Sequence, residues 1–307
     1  MQRPSAGEVH VDQLLTGFSI KYRNPEYVGL RVWPTVKVKK QSDKYAQYGK
    51  EHLVVKPDEI GPGDEANEIF YTVDLTASYY ADGHALKEKV PDEVKDNADD
   101  PLDPEFDATE NVIDSIDLNR EKRIKAAIDA AGITSSTPSP KWDAASATPI
   151  RDILQTAAKT VQNASLRVPN AILIPFNVAV ALSWSADIKD LVKYTNPNLL
   201  IQAEGIILPK NLWGMEVIIP GCGENTANLG QTAVLSPIWD DDVIVFYKNP
   251  SPAVRHISFG YTFSWKVKEV KKWYEEKVES TWIQVKEYTD EKMVCADAAY
   301  ILTECLI

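Results

Sequence analysis

The sequence predicts an α+β protein, and three observations carry that reading. A long amphipathic helix pattern runs over residues 107–131. Residues 257–268 alternate strictly between apolar and polar, the period of a strand with one greasy and one wet face. Before the helix, two strand-like stretches flank a glycine-rich turn, and no helical pattern lies between residues 32 and 80.

The helix pattern has its own start and stop. Asp107 suits the N-cap, and Glu110 three residues on completes a capping-box pattern. Pro101 and Pro104 keep the preceding chain out of the helix, and Gly132 sits where a C′ glycine belongs. Ile113, Ile116, Ile124, Ala127, Ile128 and Ala131 share one face. Asp114, Asp117, Arg120, Glu121, Lys122 and Lys125 take the other, with Glu121 and Lys125 as an i,i+4 pair. At ~1.5 Å per residue the rod is on the order of 36 Å long. Two readings fit: an ordinary packing helix, or a spine laid across a sheet with an exposed charged side. Periodicity does not separate them.

Composition narrows the function classes. The 307 residues suffice for one large domain or two ordinary ones. With 44% apolar and 25% charged residues the chain is expected to fold. A formal net charge of −12 disfavours gripping nucleic acid through a broad basic face. Three cysteines, Cys222, Cys295 and Cys305, form no disulfide framework and point to a reducing compartment. Met1 to Val11 has no apolar core of a signal peptide, and no run approaches the ~18 apolar residues of a membrane span. The expectation is a soluble protein, intracellular when made.

Taken in order, residues 1–30 are polar, with scattered anchors at Leu14, Leu15, Phe18, Ile20 and Tyr22. They read as an extended arm, which must lie along something else to satisfy its backbone. Val32 to Lys39 alternates, Val36 and Val38 against Lys37 and Lys39, as a wet strand. Lys40 to Leu53 and Tyr71 to Tyr80 then flank the turn Gly61-Pro62-Gly63-Asp64-Glu65. A hairpin so early has no local helix to pack on, so it is expected to project and rest on a neighbour. Residues 88–106 are acidic and proline-punctuated; they read as a solvated link into the helix, since the calcium-loop spacing and its glycine are missing.

Beyond Gly132, Thr134 to Pro140 reads as a loop. Thr148-Pro149 starts a second helix with Ile150, Ile153, Leu154, Ala157, Ala158 and Val161 inward. Ala171 to Ile174 is a short buried strand, Pro175 opens a helix through Leu182, and Ser185 caps another with Ile188, Leu191 and Val192 inward. Leu199 to Leu208 and Met215 to Ile219 read as strands with turns at Gly205 and Gly214. This alternation suggests a mixed α/β domain over roughly 145–235. Val243 to Tyr247 is an all-apolar strand. In the long strand that follows, Ile257, Phe259, Tyr261, Phe263, Trp265 and Val267 make the greasy face, and Ser258, Gly260, Thr262, Ser264, Lys266 and Lys268 the wet one. Trp282 to Tyr288 and Met293 to Leu302 read as two further strands. The long helix is the one element large enough to cover all of these C-terminal strands.

Chemistry is sparse. His10, His52, His84 and His256 are isolated, and no His-x-x-x-His, Gly-x-Ser-x-Gly or Walker pattern occurs. Gly221-Cys222-Gly223 suits a turn as well as a reactive thiol, and Asp240-Asp241-Asp242 an exposed connection as well as a metal site. Lysines 37, 39, 40, 44 and 50 suit the wet face of a strand better than phosphate contacts. No catalytic, cofactor-binding or metal-ligating residue is assigned.

The order of parts resembles that of the major capsid proteins of tailed double-stranded DNA phages, the fold first described for a Hong Kong coliphage and shared with encapsulins. Lys40-Gln41-Ser42-Asp43-Lys44-Tyr45 is similar to the start of that family's extended hairpin, the E-loop, and Ala77 to Tyr80 to its exit strand. Asn97-Ala98-Asp99-Asp100-Pro101-Leu102-Asp103 resembles the lead-in to the spine helix, and Arg120-Glu121 a pair within it. Ile238-Trp239-Asp240-Asp241-Asp242-Val243 and Ser258-Phe259-Gly260-Tyr261-Thr262-Phe263-Ser264-Trp265 resemble the returning strands. The motifs are short, their order is specific, and together they span nearly the whole chain.

The resemblance implies an N-terminal arm at 1–39, an E-loop hairpin at 40–82, a peripheral domain at 83–144 and 236–307 with spine helix 107–131, and an axial domain at 145–235. It implies a structural protein and not an enzyme: a subunit assembling as hexamers and pentamers into an icosahedral head around double-stranded DNA, without sequence-specific binding. No cofactor and no membrane partner are implied. The chain lacks a long charged helical N-terminal segment of the fused-scaffold kind, so a separate scaffolding protein is expected, with a portal and a decoration protein as further partners. The expected location is the virion, after assembly in the host cytoplasm. The lysine–asparagine cross-link of some members has no identifiable glutamate partner here. The alternative is an encapsulin-type shell around a cargo protein; the extended arm favours the phage, because encapsulins usually begin with a helix on the inner wall. An enzyme would need a clustered site.

Overall fold

The computed structural model describes residues 27–45, 47–48, 50–55, 58–63, 65–66, 68, 73–98, 103–144, 146–185, 208–228, 230–249 and 257–307. The expected arm up to residue 26, the helix capped by Ser185 and the strand from Leu199 to residue 207 lie outside them.

The long helix runs Pro104–Asp129 and starts three residues before the expected position. Asp103, not Asp107, is the N-cap: its carboxylate accepts from Glu105 N at 3.0 Å and Phe106 N at 3.2 Å. Pro104 then takes N1, where a missing N–H costs nothing. The helix ends at the Ala130 cap, and Gly132 follows at φ +40°.

This helix lies on a four-stranded sheet in the order β1 (Thr35–Lys37), β14 (Gly260–Glu275), β15 (Ser280–Met293) and β6 (Asp82–Pro91). Val112 and Ile116 pack on Val285, and Ala108 on Val90 and Ile283. The other half of the contact is ionic. Glu287 of β15 is buried and lies 3.3 Å from Arg120, with Arg123 held by Glu291 at 3.0 Å.

The expected greasy and wet faces of β14 need correction. Ser258 and Thr262 are buried, whereas Val267 is exposed. Register shifts between Ser264 and Glu269 break the alternation around Val267. The burial of Thr262 comes from a strap formed by residues 27–38. Val28, Val32 and Trp33 are fully buried around a short helix, Gly29–Val32. A Cβ on Gly260 would overlap the Trp33 indole, and Thr262 Oγ1 donates to Trp33 O at 3.2 Å. The strap then pairs with β14 in parallel, Val36 opposite Phe263, with Val36 and Val38 half-buried and Lys37 and Lys39 exposed as expected. Strand β14 also continues past Lys268 to Glu275, through residues rich in Lys and Glu, and β15 extends well beyond Trp282 to Tyr288. The link expected at 88–106 is a strand up to Pro91 and a short helix, Asp92–Asp96.

A second sheet has six strands: β7 (Ser135–Ser136), β16 (Ala299–Leu302), β13 (Val243–Phe246), β8 (Ala171–Leu173), β10 (Met215–Ile218) and β9 (Asn211–Leu212). The C-terminal strands thus divide between two sheets, and Ile124 and Ile128 of the long helix share one buried cluster with Ile244, Phe246, Ala299 and Ile301 of the second. Val243–Phe246 lies between β16 and β8, both antiparallel to it, and all four of its residues are buried. An apolar strand buried on both faces needs a central place, which the sheet of β8 and β10 supplies. Helical turns from Pro149 to Ser165, with a π-helical section Asp152–Ala158, pack Ile153, Ala157 and Val161 on this sheet. Helix Phe176–Trp184 adds Val178, Ala179 and Leu182. Among the described residues no helix is long and apolar enough to cross a membrane.

Candidate assembly surface

The hairpin forms where the turn signal places it. Strands β2 (Ser42–Lys44) and β5 (Ser78–Tyr80) pair antiparallel, as do β3 (Gln47–Tyr48) and β4 (Val73–Asp74) farther out. Its root is fastened to the body. Tyr79 stacks on Phe263 with centroids 4.8 Å apart, and Tyr45 packs on the same ring at 5.7 Å. Asp290 accepts from Tyr80 N at 2.8 Å. Burial holds that carboxyl above the usual carboxylate range, against the opposing pull of the Tyr80 N–H. Lys50 reaches Asp297 at 2.6 Å.

Beyond the root the described large apolar side chains are uncovered. Val55 is 95% exposed, Ile60 57% and Leu75 54%, and Leu53 and Val54 join them. Gly63 adopts φ +92°, the left-handed region the turn needs. Scattered apolar residues are normal on a surface. A run of them on a two-stranded projection is not, because so thin an element is marginal by itself. The geometry supplies a protruding β arm with apolar flanks, suited to lying on another molecule.

The second organised feature is the seat of the strap on the long helix, built around Glu121. The expectation of an exposed charged side with a Glu121–Lys125 pair is overturned, since both residues are buried. Glu121 turns inward and accepts from Val28 N at 3.1 Å, Gly29 N at 2.8 Å and Trp239 Nε1 at 2.8 Å. Lys125 instead pairs with Asp129 at 2.6 Å and Asp240 at 3.1 Å. A Cβ on Gly29 would fall 2.6 Å from Ile124 Cδ1 and 2.7 Å from Glu121 Oε2, so any larger residue there has to push both side chains aside. Sequence reasoning missed this residue because a charge at that helical angle counts as solvated; Gly29 and Trp239 far away in the chain supply its donors.

The sequence candidates for chemistry are not brought together. Cys222 is buried beside Glu121, and burial with that neighbouring carboxylate pushes its thiol up to about 12. Burial likewise pushes Cys305 up to about 12. Neither supplies a thiolate nucleophile at neutral pH. Asp240 neutralises Lys125, and Asp242 accepts from Glu304 N at 2.9 Å. Among the described residues no group of His, Cys, Asp and Glu could hold a metal ion. Of the hairpin lysines, Lys40 pairs with Asp43 at 3.2 Å and Lys37 and Lys44 are exposed, as a wet strand face requires.

Known proteins match this arrangement. No family model matches the chain. The major capsid protein of Pseudomonas phage JBD67 is 27% identical over 268 residues, covering 83% of each chain. Among solved structures, a phage-related protein of Bordetella bronchiseptica superposes with a TM-score of 0.67 at 21% identity over 96% of this chain and 97% of that one. The capsid of cyanophage P-SCSP1u gives 0.65 at 13% identity, over 98% and 92%. The chain has the fold of tailed-phage capsid subunits, of the Hong Kong phage type. It resembles phage major capsid proteins in sequence as well.

Proposed function

We propose that this chain is the major subunit of an icosahedral head that encloses double-stranded DNA, assembling as hexamers and pentamers in the host cytoplasm, and that it has no catalytic activity. The observation that carries the reading is the hairpin: a rooted β projection whose described apolar flanks find no cover among the described residues. An encapsulin-type shell is not favoured, because the curated relative is a phage capsid protein. Negative-stain microscopy of the purified protein with its scaffold tests the proposal; closed particles support it, and a stable monomer under all assembly conditions overturns it.

The domain division follows the two sheets. We place the long helix with β1, β6, β14 and β15 in the peripheral domain, and the six-stranded sheet with its helices in the axial domain. Strands β13 and β16 thereby join the axial domain, a shift from boundaries drawn at 236–307. A separate scaffolding protein and a portal are the partners this reading expects, with a decoration protein as an optional third. With a net charge of −12, DNA is confined by the closed shell and not bound to it. Free subunits are therefore expected to retain little duplex at moderate salt; tight, salt-resistant binding contradicts this.

A further inference from the structure

The four-stranded sheet has a second face, and its chemistry is unlike the rest of the molecule. Ile283, Val285 and Glu287 of β15 point to the long helix, so Trp282, Gln284, Lys286 and Tyr288 point away from it. Their cross-strand neighbours share that face: Lys89 and Trp273 opposite Trp282, Lys87 and Lys271 opposite Gln284, Ala85 and Glu269 opposite Lys286, and Lys266 opposite Tyr288. Two carboxylates lie among the five lysines: Glu269, 3.7 Å from Lys271, and Glu275, which accepts from Trp282 Nε1 at 2.6 Å. Lysine ammoniums sit over the rings. Lys87 Nζ is 4.0 Å from the Trp282 centroid, Lys266 Nζ is 4.3 Å from Trp265, and Lys286 Nζ is 4.7 Å from Tyr288. Lys87, Lys89, Lys266, Lys271 and Trp273 are exposed. On a chain with a net charge of −12, this is a basic and aromatic surface.

The same chain carries the complement. The helix Asp92–Asp96 and the start of the long helix form an acidic corner on which Glu93, Asp96 and Asp103 are exposed. Val94 and Phe106, 50% and 61% exposed, give it apolar bulk. An open cleft of about 620 Å³ between the two helices has room for a large side chain. The corner is held in place: Lys95 bridges Glu105 at 2.6 Å and Thr281 at 2.5 Å, and Tyr274 Oη donates to Asp92 at 2.7 Å. A surface already ordered loses less entropy on docking than a thin projection does.

We propose that the basic and aromatic face of one subunit takes the acidic corner of a second copy. This rests on the capsid reading and adds a contact between peripheral domains. A surface and its complement on different parts of one chain give a head-to-tail contact, which closes into a ring where the rotation allows. Opposite charges orient the approach, and apolar groups on both sides supply area.

Charge exchange tests it. Lys87→Glu with Lys89→Glu is expected to lower shell yield about tenfold or more, as is Glu93→Lys with Asp96→Lys, since like charges then face each other. The exchanged sites are exposed, so the melting temperature of the subunit should hold in both. All four changes together should restore most of the yield. Normal assembly of either paired variant overturns the proposal, and so does failure of the fourfold variant to recover. Impairment by the lysine changes alone also overturns it, and assigns the face to another occupant, a second copy's hairpin or an accessory protein. Shell formation by the unaltered chain in the same experiment reports on the capsid reading separately.

Discussion

The hairpin and the strap are both extended segments near the start of the described chain, yet they meet opposite fates. The strap buries Val28, Val32 and Trp33 completely, and its backbone finds partners in Glu121 and β14. The hairpin fastens its root through Tyr79 and Tyr45 and leaves Leu53, Val54, Val55, Ile60 and Leu75 in solvent. Both segments carry apolar residues, so hydrophobicity does not distinguish them. The difference is whether the same chain supplies a covering surface. The strap belongs to the subunit, and the hairpin belongs to the assembly.

The strongest way to break this comparison is to damage the body. Ile124, on the long helix, is fully buried against the strap. Ile124→Asp places an uncompensated charge there and costs several kcal/mol, roughly the whole margin of a domain. The variant is expected to be insoluble; a soluble, cooperatively melting variant would show that the helix is not part of the core.

A smaller loss is expected at Glu121. Removing its carboxylate strands the Val28 and Gly29 N–H groups and the Trp239 indole N–H. Each orphaned buried donor costs about 1–3 kcal/mol, so Glu121→Ala should lose about 3 kcal/mol or more in urea unfolding. A loss below about 1 kcal/mol would mean that water or another group replaces the carboxylate and that the seat is not specific.

Removing Gly61 to Glu65 from the hairpin tip sharpens the contrast from the other side. The tip adds nothing to either core, so the melting temperature should stay nearly unchanged while shells fail to form. Unchanged shells would reduce the hairpin to an ordinary exposed loop.

These expectations draw on what was legible in the sequence, and that had limits. The long helix, the hairpin and the all-apolar Val243–Phe246 strand were readable because pattern, cap and turn residues are local. Strand β6 escaped because only Leu86 and Val90 mark its inner face, between His84 and Glu88. Thr262 read as wet because nothing local foretells that the strap covers it, and Ser258 because alternation does not show that it accepts from Asn249 N. Glu121 read as solvated for the same reason. The sheet that would take β13 and β16 was a question of distant pairing, on which alternation is silent. The hairpin's apolar flanks were readable as residues, and their exposure required the fold.

The central claim is that the hairpin completes its packing only between subunits. Hydrogen exchange on Val73 to Tyr80, measured in the free subunit and in the assembled shell, tests it most directly. Fast exchange in the subunit at Val73 and Leu75, with strong protection in the shell, is the predicted result. The strap amides of Val28 and Gly29 should be protected in both. Equal protection of the hairpin in subunit and shell would contradict the account.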